Sequence, residues 1–158
     1  GLMPKAVLVV HCMKQLCLLN RQSPYFKGVI IMEVFVYGTL KVGGRYAHLF
    51  NRMRSFVTQA KVKGTMYSVG GSYPAVVLDG DTEIAGELHQ YPDDKRKEIL
   101  ARLDSIEGYR GPDNVNNLYN RKEVEVTTAD GKSVKAMMYV FNREVAQLEK
   151  VADGYWPV

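Results

Sequence analysis

From Glu33 onward, apolar residues alternate with polar ones far more often than they recur at helical spacing. Glu33 to Tyr37 is β-branched and aromatic and ends at Gly38, which predicts a first strand. After the break at Gly43-Gly44, Arg45 to Met53 reads as a short helix. Val57 to Tyr67 predicts a strand, with polar positions at Thr58, Lys61 and Lys63. Gly70-Gly71 and Pro74 mark a loop before Ala75 to Leu78, and Asp79-Gly80-Asp81 a turn before a strand from Glu83 to about Tyr91. Only the segment opened by Pro92-Asp93-Asp94 carries a clear helical stripe, at Ile99, Leu100 and Leu103. Proline suits its first turn, and the aspartates complement the positive helix end. Gly108 ends it, and Asp113 to Asn117 is a polar loop. Tyr119 to Thr128 and Ser133 to Phe141 read as strands around an Asp130-Gly131 turn, and Val145 to Val151 as a last helical turn or two. Strands joined mostly by short turns predict an α+β fold with a curled or closed sheet.

At 158 residues the chain is long enough for one domain with its own core. Its net charge of +4 is unevenly placed. Lys5, Lys14, Arg21 and Lys27 lie in residues 1–31, which hold no acid, so from Met32 onward bases and acids balance. That balance gives no basic patch for nucleic acid. Cys12 and Cys17 also fall in the first segment, five residues apart with poor metal spacing that His11 alone does not rescue, so four zinc ligands cannot be assembled. A reducing, cytoplasmic compartment is the expectation. Ala6 to Leu19 is apolar behind Lys5, as in a signal peptide. His11, Lys14 and Gln15 interrupt it, no small-residue cleavage site follows, and it is too short and polar to span a bilayer. Residues 1–31 are expected to be an extension or translated upstream sequence, with residues 32–158 forming the domain.

Two short segments carry candidate chemistry. Tyr37-Gly38-Thr39-Leu40 leaves a strand through glycine, and the amides of Gly38, Thr39 and Leu40 can form a concavity for a carboxylate or phosphate. Gly38 and Gly43 have the spacing of a nucleotide-binding loop, but Gly44 and Arg45 stand where its lysine and hydroxyl belong, so that reading fails. Glu107, between Ile106 and Gly108, offers a carboxylate just past a helix, where partial desolvation would raise its pKa. Asp104, three residues earlier, is the rival acid. His48 and His89 stand alone, and Asp93-Asp94 is most simply a helix start.

In order and context these segments resemble the gamma-glutamylcyclotransferase-like family, whose bacterial members open with a YG[ST]L loop and carry a catalytic Glu before a Gly. The resemblance runs from about Met32 to Trp156. It implies a small mixed β-barrel flanked by helices, with the site at one barrel mouth. It implies Glu107 rather than Asp104 as the catalytic acid and base. It also brings in Tyr37 and, in Tyr119-Asn120-Arg121, Tyr119, either of which can offer its hydroxyl to a substrate carboxylate or to the catalytic acid. Arg121 is read either as a carboxylate ligand or as a solvated strand residue. Met66 to Ala75 resembles a family loop that borders the pocket.

The implied reaction releases 5-oxoproline from an L-γ-glutamyl amide or amine, with no metal, cofactor or covalent intermediate, because the substrate's own α-amino group attacks intramolecularly. The implied partner is that small-molecule substrate, with no nucleic acid or membrane. The alternatives are a non-catalytic small-molecule binder with the same barrel and cradle, and an interaction protein that works through residues 1–31.

Overall fold

The computed structural model describes residues 31–158, which form one compact unit. The expectations attached to Cys12, Cys17 and the Ala6 to Leu19 run lie outside the described residues. Period-two segments become β1 (Ile31–Val36), β2 (Phe56–Val69), β3 (Tyr73–Pro92), β4 (Tyr119–Thr128) and β5 (Ser133–Phe141), with a two-residue β6 (Glu149–Lys150). The helical stripe becomes α1 (Arg96–Glu107), led in by a 3-10 turn over Asp93–Lys95.

Five strands close on themselves. The sheet runs β3-β1-β5-β4-β2, and β2 pairs back onto β3 to complete a barrel, with β6 added along β2. β1 and β5 are parallel, meeting at Val34 and Met137, and the other pairs are antiparallel. Closure leaves the five barrel strands without a free edge.

Because side chains alternate across a strand, each strand feeds two apolar clusters. Phe35, Val62, Met66, Ile84, Leu88, Val126 and Met138 fill the barrel. Met32, Val34, Phe50, Tyr91, Tyr119, Tyr139 and Phe141 point outward and pack with Ile99 and Leu103 of α1. Burying the helix stripe against the barrel fixes the orientation of the helix, and therefore of whatever its last turn carries.

Three local expectations are corrected. Arg45 to Met53 forms only a four-residue 3-10 turn, Ala47–Phe50, with Ala47 and Phe50 buried. Asp79-Gly80-Asp81 does not separate two strands. β3 runs through it, and the extra residues form a bulge opposite Gly64 and Thr65, where the Thr65 hydroxyl donates to Asp79 O (2.7 Å). Val145 to Val151 is not helical. The Val151 amide donates to Met66 O (2.8 Å) and Gly154 O accepts from the Ala85 amide (2.9 Å), so pairing with the barrel replaces the expected turns. Lys41, buried despite its charge, donates to Trp156 O and helps hold the C-terminal segment.

Candidate active site

The segment after β1, the β2–β3 hairpin, the last turn of α1 and the start of β4 converge on a cavity of about 180 Å³. All six residues singled out in the sequence (Tyr37, Gly38, Thr39, Leu40, Glu107 and Tyr119) line it. Ser72, Tyr73 and Pro74 of the hairpin line it too, so the segment Met66 to Ala75 does border the pocket.

The loop is shaped by a turn and a close contact. The Lys41 amide donates to Gly38 O (3.0 Å) and the Tyr46 amide to Thr39 O (2.9 Å), so the carbonyls are engaged. Among the described residues, the amides of Gly38, Thr39 and Leu40 have no protein acceptor. The glycine requirement at 38 does not come from a left-handed backbone. A Cβ there would lie 2.5 Å from Cγ and 2.8 Å from Cδ of Pro74, so the proline ring occupies the space of any side chain.

Glu107 is the last residue of α1. Gly108 caps the helix in the left-handed conformation (φ 63°), and its amide, like that of Tyr109, returns to Asp104 O. Gly108 O then accepts from Leu118 (3.1 Å), which ties the helix end to the start of β4. Glu107 is half-buried and has no hydrogen-bond partner among the described residues. Burial pushes its carboxyl up to about 7.

Asp104 is engaged elsewhere. Nη1 of Arg121 donates to both of its oxygens (2.8 and 2.7 Å), and the Tyr139 hydroxyl donates to Oδ1 (2.6 Å). The Arg121 guanidinium also stacks over Tyr109, 5.0 Å from the ring centre. Of the two readings of Arg121, carboxylate binding is the one met, with the chain's own Asp104 as the carboxylate. It is neither solvated nor free for a substrate carboxylate, but clamps α1 to β4.

The tyrosine hydroxyls are spoken for in a way sequence does not reveal. Tyr37 Oη donates to Tyr139 O (2.7 Å) and Tyr119 Oη to Pro74 O (2.7 Å). A carbonyl cannot donate, so each phenolic proton is committed to the backbone, and only lone pairs remain for a ligand. Burial raises both tyrosines above the ordinary phenol value, with the nearby Glu107 carboxylate adding to it, so both stay neutral. Instead of donating to a substrate carboxylate, they can accept from an ammonium or amine.

Sequence reasoning missed Arg45 and Tyr139 in the cavity wall and Pro74 behind Gly38. The sequence marks the Met66 to Ala75 segment as bordering the pocket, but the contact of Pro74 with Gly38 and the place of Tyr139 in the wall come from tertiary packing. Among the described residues, no group of three or more His, Cys, Asp or Glu side chains converges to hold a metal ion. No described helix is long and apolar enough to cross a membrane.

The raised Glu107 carboxyl carries a stability consequence. The folded chain holds this proton more tightly than the unfolded chain, whose carboxyl titrates near 4.5. The cost of ionising it is therefore absent below about pH 4.5 and fully present above about pH 7. Glu107→Gln is expected to be more stable than the parent at pH 8, by on the order of 1–3 kcal/mol once cavity water is allowed for, and equal to it near pH 4.5. Urea melts of both proteins at the two pH values measure this, and equal stability at pH 8 would contradict it.

A small closed barrel beside a tyrosine-walled cavity that holds one carboxyl defines the class. The model of the family described as gamma-glutamyl cyclotransferase, AIG2-like, matches residues 34–158, and the chain belongs to that family. It is 32% identical over 119 residues to the gamma-L-glutamyl-butirosin B gamma-glutamyl cyclotransferase of Niallia circulans, covering 75% of this chain and 72% of that one. The fold is shared with an AIG2-like protein from Mus musculus (TM-score 0.52, 16% identity, 72% of this chain and 80% of that one). It also matches YkqA from Bacillus subtilis (TM-score 0.59, 24% identity, 80% of this chain), of which this chain spans 40% of the length. The protein is an enzyme of the gamma-glutamyl cyclotransferase type.

Proposed function

We propose that the cavity converts an L-γ-glutamyl amide or amine into 5-oxoproline and the free amine, with Glu107 as general base and then general acid. The observation that carries this reading is a carboxyl, pushed up to about 7, sharing one cavity with three backbone amides, all without a partner among the described residues. Near neutral pH such a group is populated in both protonation states, as a residue that first accepts and then returns a proton must be.

The substrate α-ammonium sits against Glu107 and the lone pairs of Tyr37 and Tyr119. Glu107 removes one proton, and the freed amine attacks the γ-carbonyl carbon, forming the C–N bond of a five-membered ring. As the bond to the departing nitrogen breaks, that nitrogen receives the proton from Glu107. The regenerated carboxylate then takes the second proton from the ring nitrogen and passes it to the released amine, which leaves as an ammonium. The amides of Gly38 to Leu40 hold the α-carboxylate or polarise the carbonyl oxygen. Because attack is intramolecular, holding the substrate folded supplies much of the acceleration. Sites for drug-sized ligands run to about 300–1,000 Å³, so a cavity of this size encloses the glutamyl part and leaves the amine side projecting.

The test is release of 5-oxoproline from a panel of γ-glutamyl amines and dipeptides. kcat/KM is expected to rise with pH up to about 7, as Glu107 ionises in the free enzyme. A panel that raises the melting temperature but yields no 5-oxoproline would identify a binder and end the catalytic reading.

A further inference from the structure

Two charged side chains line the cavity, Glu107 in its wall and Arg45. Arg45 is exposed, while Gly38 and Leu40 are buried and Thr39 is half-buried, so the arginine marks the mouth and the amides the depth. Its guanidinium lies 5.6 Å from the centre of the Tyr46 ring, and no carboxylate pairs with it among the described residues. Arg121, by contrast, is committed to Asp104. Ser72, also exposed, shares this rim.

The reaction dictates what reaches each level. The α-carboxylate is attached to the carbon bearing the attacking amine, so it stays with the forming ring, near Glu107 and the amides. The departing amine leaves the γ-carbon on the other side and extends toward solvent. A free, planar, permanently charged guanidinium at that exit suits a carboxylate, which it can bind through two parallel hydrogen bonds.

We infer that Arg45 selects substrates whose amine side carries a carboxylate, so that γ-glutamyl amino acids and peptides are preferred over neutral or cationic γ-glutamyl amines. This rests on the cyclotransferase reading and deepens it by naming the class of leaving group. Arg45 is a specificity residue here and takes no part in proton transfer.

The test compares γ-L-glutamyl-L-alanine with γ-L-glutamyl-L-alaninamide, which match in shape and differ in the one charge. The parent enzyme is expected to favour the acid in kcat/KM by on the order of two- to fivefold, the range of a solvent-accessible ion pair with good geometry. In Arg45→Gln that ratio is expected to fall to about one, whatever the absolute rates, and in Arg45→Lys to stay between the two. A ratio near or below one in the parent, or unchanged in Arg45→Gln, overturns the inference. So does an equal loss on both substrates, which would mean that Arg45 holds the common α-carboxylate. Calorimetry of the two dipeptides with Glu107→Gln separates this idea from the catalytic one. Acid-selective binding without turnover in the parent would end the catalytic reading and keep Arg45's role, and equal binding of both would remove that role.

Discussion

Glu107→Gln is expected to lower 5-oxoproline formation by on the order of 10²–10⁴ while the barrel stays folded, because the amide keeps the volume but cannot take the proton. The matched control is Asp104→Asn. Asp104 already accepts from Arg121 and Tyr139, so its loss is expected to appear first in stability, by about 1–3 kcal/mol, and only modestly in rate. Steady-state kinetics with urea melts on both variants separate the roles. Equal activity losses, or an active Glu107→Gln, would refute the assignment. The contrast is sharp because the two carboxylates sit three residues apart on one helix yet in opposite situations, one paired and one without a partner.

The second large effect lies in the backbone cradle. Gly38→Val places a branched carbon where the Pro74 ring already is, since even a Cβ comes within 2.5 Å of Cγ. Either the loop or the hairpin must move, and Pro74 O also receives the Tyr119 hydroxyl, so both walls of the cavity shift together. A displacement of about 1 Å at such a site can cost 10² in rate. A loss of at least that order in kcat/KM is expected, with a few degrees lost in Tm. Thr39→Ser, which keeps the residue 39 amide, is expected to be nearly silent. Full activity in Gly38→Val would mean that this loop does not position the substrate.

Much of the architecture was legible in the sequence because its signals are local. β4 and β5 show alternation around Asp130-Gly131, and the Ile99–Leu103 stripe is buried where the pattern put it. The misreadings occurred where a distant strand outbid a local preference. Asp79-Gly80-Asp81 has turn composition, yet β2 runs alongside and absorbs it as a bulge. The residues before Val151 have weak helical spacing, but Met66 O offers that amide a partner. In the site, the Tyr37 to Leu40 loop and the Glu107-Gly108 pair are short contiguous motifs and could be found by resemblance. The Pro74 contact and the carbonyls that take the tyrosine protons each join residues far apart in sequence. No window along the chain contains both halves of any of these contacts.

The depth ordering of the cavity bears on how such an enzyme can change over time. Its inner part includes a glycine held against a proline ring and a helix end fixed by an ion pair, so substitutions at Gly38, Asp104 or Arg121 act on the fold as well as on the site. Arg45 and Ser72 stand exposed at the outer lip, where replacements usually cost within about 0.5 kcal/mol of stability. Under the proposed roles of Arg45 and Glu107, the leaving amine can be changed at the lip with little cost to the fold, apart from the groups that close the ring.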